Sequence, residues 1–196
     1  MLEERQQHRV LIVSDADKIA DYITELLPPR EFSPILRAGS AGDAKRMLLS
    51  AEYDIVIINS PLPDEFGTSL ATDISEDSTK TAVMLLVKSD SYDAALYKVE
   101  KSGVLTLPKP NSKQAIYSAV RLLAAMSVKL GQLEKKNRTL QEKMADIRTV
   151  NRAKWLLIEN LGMTEKDAHY YIEKQAMDTR MSRREVAVGI IRTYDK

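Results

Sequence analysis

The chain has 196 residues, 44% hydrophobic and 29% charged, which suits one mid-sized globular domain joined to a smaller one. With no cysteine and only His8 and His169, it excludes disulfides, thiolate nucleophiles and cysteine- or histidine-rich metal sites. The net charge of +1 hides an asymmetry: 13 Lys+Arg stand against 18 Asp+Glu in residues 1–115, 6 against 2 in 116–145, and 10 against 8 in 146–196. An acidic front and a basic rear suggest a regulatory part joined to one that meets a polyanion. No apolar run approaches the roughly 18 residues of a membrane span, and the charged start MLEERQQHR lacks a secretory apolar segment. The expectation is a cytoplasmic protein without a membrane partner.

Val10 to Val13 is a short apolar run followed by a polar turn. Asp17 to Leu27 then carries Ile19, Ile23, Leu26 and Leu27 at helical spacing and stops at Pro28-Pro29. Ser33 to Arg37 is a weaker strand, and Ser40 to Ser50 a helix with Ala41, Ala44, Met47 and Leu48 along it. The β-branched run Asp54 to Ile58 is a strand. Helix over Thr68 to Ile74, strand over Ala82 to Val87, helix over Ser91 to Lys101 and strand over Val104 to Leu107 follow. Unalternated apolar strands separated by helices predict a doubly wound, five-stranded parallel sheet of the α/β class, covered on both faces. Such sheets place their site at the carboxyl ends of the strands.

The segments VLIVSD, DIVIINSPLPDEFG, AVMLLVK and GVLTLPKP, spanning roughly residues 9–115, resemble the receiver domain of bacterial response regulators. The resemblance implies two acidic residues after the first strand, a phosphorylatable Asp after the third, Ser or Thr after the fourth and Lys after the fifth. Here those places hold Ser14 and Asp15, Asn59, Val87, and Lys109. An amide cannot replace the carboxylate nucleophile of an aspartyl phosphate. Ser14 with Asn59 leaves Asp15 as the one charged magnesium ligand, and Val87 has no hydroxyl. Thr106 stands where the family usually carries an aromatic switch residue. The expectation is a pseudo-receiver, not phosphorylated on Asp, with no cofactor and no metal. Lys109 is expected to pair with Asp15 or to hold another anion. Asp64 lies past the strand end and is set aside as an acceptor.

From Ile116 onward there is no proline, and Gly131 is the single glycine before Gly162. Ile116, Ala119, Leu123, Met126, Leu130, Leu133, Leu140, Met144 and Ile147 fall on alternating three- and four-residue steps, with Asn137 and Asn151 at a-type positions. This heptad seam predicts a parallel coiled-coil homodimer through Leu123, Leu130, Leu133, Asn137, Leu140 and Met144. The rival is a helix packed against its own domain. Gly131 costs about 1 kcal/mol of helix stability and is a candidate bend.

Gly162 is a C-cap, Thr164 opens a second helix, and Ser182 with Glu185 forms a capping box for a third. The segment RAKWLLIENLGMTEKDAHYYIEKQAMDTRMSRREVAVGII is similar to the ANTAR domain, a three-helix RNA-binding module of transcription antitermination regulators. The matching pieces are Ala153-Lys154, Gly162, Ala168, Gln175-Ala176-Met177, Ser182, Glu185, Val186 and Ala187. The resemblance implies dimeric binding to leader RNA with paired hairpin loops. Loop RNA is held by cations on phosphate and by contacts to exposed bases. The candidates are Arg148, Arg152, Lys154, Lys174, Arg180, Arg183 and Arg184 for charge, with Tyr170 and Gln175 for bases. Lys154 and Arg152 lead, followed by Arg183 and Arg184. Tyr171, Ala176, Met177 and Trp155 are expected to be packed.

The sequence thus reads as a pseudo-receiver over residues 1–115, a dimerisation helix over 116–147 and an RNA-binding domain over 148–196. No catalytic residues are expected, and a regulatory protein on the pseudo-receiver is one route of control. A DNA-binding regulator and a protein-interaction module are the alternatives. A DNA-reading helix needs base-contacting side chains, and REVAVGIIRTY is mostly apolar after Arg184.

Overall fold

The computed structural model describes residues 7–78 and 80–195, and the chain divides into two compact units, Met1–Glu134 and Lys135–Lys196. In the first unit, β1 (His8–Val13), α1 (Asp17–Leu26), β2 (Phe32–Ala38), α2 (Ala41–Ser50), β3 (Ile55–Asn59), α3 (Thr68–Asp77), β4 (Ala82–Lys88), α4 (Tyr92–Val99) and β5 (Leu105–Lys109) alternate along the chain. The strands form one parallel sheet in the order β2-β1-β3-β4-β5. The order reverses between β1 and β3, which puts the crevice of the fold at the carboxyl ends of those two strands.

Strand side chains alternate between two cores. Leu11, Val13, Val56, Ile58, Val83, Leu85 and Val87 meet α2, α3 and α4 on one face. Val10, Ile12, Ile55, Ile57, Ala82, Met84 and Leu86 meet α1 and the long helix α5 (Lys113–Leu161) on the other. Both faces are buried, so the strands are apolar throughout, as the doubly wound reading requires. Gly67, in the turn before α3, has φ +99° and lies so close to Ile58 that a Cβ would stand 3.1 Å from its Cγ2. A side chain there is both strained and crowded.

Helix α5 is continuous through Gly131 and corrects the front of the heptad reading. Leu123, expected in the dimer seam, is 1% exposed and packs with Ile116, Ala119, Val120 and Ala124 against the sheet. The sheet face opposite α2–α4 needs a second helix beside α1, and this stretch supplies it. Leu130 is half-buried, whereas Leu133, Leu140, Met144 and Ile147 are each more than half exposed.

In the second unit, α5 runs on to Gly162, whose φ of +65° lets the chain turn. Helices α6 (Glu165–Thr179) and α7 (Arg183–Tyr194) follow. Thr164 caps α6 by accepting from the Asp167 N–H, and Ser182 and Glu185 form both bonds of the α7 capping box. Ala153, Leu157, Ala168, Ile172, Ala187 and Ile190 make the core. The buried stripe of α6 is Ala168, Ile172 and Ala176. Tyr171 and Met177 flank it by one residue, about 100° round the helix, and are exposed rather than packed. Trp155, also expected to be packed, is 70% exposed.

Leu123→Ala is expected to destabilise the first unit by about 2–5 kcal/mol in urea unfolding. Leu122→Ala, one residue away and 53% exposed, should stay within about 0.5 kcal/mol of the parent. Equal effects of the two would return Leu123 to the surface.

Candidate functional site

Ser14, Asn59 and Lys109 meet at the carboxyl ends of β1, β3 and β5. The Asn59 Nδ2 donates to Ser14 Oγ at 3.0 Å, and Lys109 Nζ donates to Asn59 Oδ1 at 2.7 Å and to the Ser60 carbonyl at 2.5 Å. The Ser14 hydroxyl also accepts from the Ala16 N–H at 3.1 Å, ahead of α1. Ser14 and Asn59 are buried, Val87 is fully buried at the end of β4, and Asp15 is exposed. The expected Lys109–Asp15 ion pair is replaced by these neutral oxygens. Burial and, secondarily, the nearby Lys88 hold the Lys109 ammonium below its ordinary pKa, with Asp15 opposing weakly from a distance. Thr106 is buried, and its hydroxyl has no hydrogen-bond partner among the described residues.

Asp64 has a structural task that sequence reading missed. Its carboxylate accepts from the N–H groups of Ala41 and Gly42, each at 2.9 Å, at the start of α2. Those donors hold its pKa below the ordinary carboxylate value. Its distance in sequence from α2 conceals the cap.

In the second unit, a cleft of about 400 Å³ is lined by Asp146, Ile147, Val150, Asn151, Lys154, His169, Ser182, Arg183 and Arg184. The α7 capping box places Arg183 and Arg184 at the positive end of that helix, beside the α5 residues. The structure therefore brings together three of the predicted cations. Each also has an acidic neighbour: Lys154 with Glu165 at 2.6 Å, Arg183 with Glu173 at 3.2 Å, and Arg184 with Asp146 at 2.9 Å. The hydrogen bond from Lys154 holds the Glu165 carboxyl below its ordinary pKa.

Arg152 lies outside the cleft lining and pairs with Asp195 at 2.5 Å. Arg148, Tyr170, Lys174 and Arg180 are exposed away from the lining, and Gln175 is half-buried. Arg180 ends α6 with φ 55°. His169, left unassigned by the sequence, lines the cleft and faces Glu173, four residues on along α6, at 3.4 Å.

Residues 10–121 match the response regulator receiver domain, more than half of the chain, and residues 138–191 match the ANTAR domain. The chain belongs to the response regulators and carries an ANTAR domain. It is similar to the transcriptional regulatory protein PdtaR of Mycobacterium tuberculosis, 28% identical over 186 residues, which cover 94% of this chain and 90% of that protein. The aliphatic amidase regulator of Pseudomonas aeruginosa is 27% identical over 129 residues, 64% of each chain. The signal receiver domain of an HD domain-containing protein from Pseudomonas fluorescens has the same fold, with a TM-score of 0.59 and 24% identity over 67% of this chain and 96% of that one. No helix among the described residues is long and apolar enough to cross a membrane.

In this response regulator the receiver crevice is a chain of hydrogen bonds from ammonium to amide to hydroxyl, and the ANTAR domain carries the cationic cleft. The depressed pKa of Lys109 sets a sign for stability against pH. Between the folded value and 10.5, the unfolded chain binds more protons, so stability rises with pH. The cost of holding the buried cation is full below the folded value and vanishes towards 10.5. Urea unfolding of the parent minus that of Lys109→Met should therefore shift in favour of the parent as pH climbs through this alkaline window. A flat difference would contradict the burial of the charge.

Proposed function

We propose that this response regulator is a homodimeric RNA-binding transcription antiterminator whose receiver works without phosphorylation on Asp. The cationic ANTAR cleft is the observation that carries the reading. Lys154, Arg183 and Arg184 converge on it, Val150 lines it with an apolar side chain, and a helix N-terminus opens beside it. Cations fix phosphates while an apolar lining accepts an unstacked base, the combination that loop RNA recognition needs. Arg148, Arg152, Lys174 and Arg180 extend the charge along the outside, with Tyr170 and Gln175 as further base contacts. The likeness to a transcriptional regulatory protein over 94% of the chain supports the regulatory role.

The dimer forms through the seam of half-buried Leu130 and exposed Leu133, Asn137, Leu140 and Met144, without Leu123. The receiver is the regulatory part, and its control does not pass through a phosphoryl group on Asp; a protein that docks on it is one route. Asn59 supports this, since its amide oxygen accepts from Lys109 and its nitrogen donates to Ser14. No group in either domain is assigned a catalytic task. The DNA-reading alternative is weakened by α7, which commits Ala187 and Ile190 to its own domain's core.

The purified protein, without phosphodonor, should bind a two-hairpin leader RNA and not duplex DNA, with affinity falling steeply between two salt concentrations. Replacing Arg183 and Arg184 together by Ala should weaken binding and reduce the salt slope by about 1.4, with helicity unchanged by circular dichroism. Unaltered RNA binding in that variant would remove the cleft from the interface.

Asn59→Asp alone should take up no stable label from a small-molecule phosphodonor, because Ser14 and Val87 remain. Stoichiometric labelling would mean that one substitution restores the receiver chemistry.

A further inference from the structure

We propose that Trp155 anchors the C-terminal end of a parallel seam between two copies of this chain, carrying the dimer contact beyond the coiled-coil segment into the ANTAR domain. The inference rests on the proposed dimer and adds a surface to it. Trp155 is the single tryptophan of the chain and one of its most exposed apolar side chains. At about 100° per residue, Asn137, Leu140, Met144, Ile147, Asn151 and Trp155 fall within an arc of about 80° on α5. Leu140, Met144 and Ile147 in this arc are exposed. Ala153 and Leu157, which α5 gives to the ANTAR core, project about 160° away from Trp155. The ring is thus turned away from its own domain's core and continues an apolar stripe that is left exposed among the described residues.

The pattern of α5 identifies a second copy as the cover. Asn137 and Asn151 recur two heptads apart, where each amide can bond its mate across a parallel pair. Lys129 and Glu134 occupy positions that pair between parallel helices with opposite charge. Lys143 and Arg148 occupy the equivalent positions lower down with like charge, so that end of the seam depends on apolar contact. Ile147 and Trp155 supply it, and a buried tryptophan is the side chain that most often dominates such contacts. An RNA base is the rival partner for the ring, but Trp155 does not line the cationic cleft; Ile147 and Asn151 of the arc border that cleft, and Val150 and Lys154 lie on its far side from the ring.

The test follows the full chain through one dilution series by sedimentation and by tryptophan emission, without RNA and then with hairpin RNA. The expected result is an emission maximum that moves to shorter wavelength as the dimer forms, with the same midpoint. Trp155→Ala should weaken the dimer about tenfold or more and leave helicity unchanged. A dimer whose tryptophan emission remains that of a water-exposed ring overturns the proposal and leaves the dimer standing. A monomer at every concentration overturns both. Emission that moves only when RNA is added overturns the anchor and assigns the ring to base stacking.

Discussion

Helix α5 has to present different apolar surfaces with a single screw of about 100° per residue. Ile116, Val120 and Leu123 fill the sheet face left open beside α1. Ala153 and Leu157 close the ANTAR core. Between them, Leu133, Leu140, Met144 and Ile147 are left in water. Helices α6 and α7 complete the ANTAR core with Ala168, Ile172, Ala187 and Ile190, so α5 is one wall of a three-helix core.

The receiver crevice follows from a different constraint, the placement of a cation at the end of a buried sheet. Lys109 ends β5, and the parallel register brings its ammonium to the crevice whatever stands opposite. A carboxylate on β3 would neutralise it. Asn59 instead offers a dipole, and the Ser60 carbonyl offers another. Hydrogen bonds to neutral oxygens satisfy the donors without cancelling the charge, which is why burial still pushes the Lys109 pKa down. The amide nitrogen of Asn59 then finds Ser14, and Ser14 finds the turn into α1. Each polar group of this chain completes the next, so replacing one leaves its neighbour unpaired in a buried place.

Much of this was legible in the sequence because local physics and tertiary packing agreed. The runs Val10 to Val13 and Ile55 to Ile58 are β-branched or leucine throughout and sit in doubly covered strands. Ser182 and Glu185 have capping-box spacing, and the box forms. Leu123 and Leu140 illustrate where the reading stops. Both are seam leucines, and nothing within their heptads tells which one has a sheet waiting beside it. Tyr171 and Met177 were misplaced by one residue of helical phase, an error that hydrophobicity alone cannot detect. The partners of Lys154 and Asp64 were hidden for another reason: Glu165 lies across a helix turn-round, and Ala41 and Gly42 lie in a different βα unit.

The cleft holds its cations in readiness by pairing each with a carboxylate of the same domain. Exposed pairs such as Arg183–Glu173 and Arg184–Asp146 contribute about 0–1 kcal/mol, and a phosphate competes for the same guanidinium with the same forked geometry. Exchanging carboxylate for phosphate on those arginines is therefore close to balanced within the protein. The net gain in the proposed RNA complex comes from the counterions that the RNA releases, which explains why its strength should depend on salt. Lys154 differs from the arginines because its side chain is only 16% exposed. A side chain so far covered has fewer rotamers open to it than the two arginines, whose side chains are 61% and 56% exposed. The spacing between this lysine and the two arginines is set by α5 and the α7 cap together.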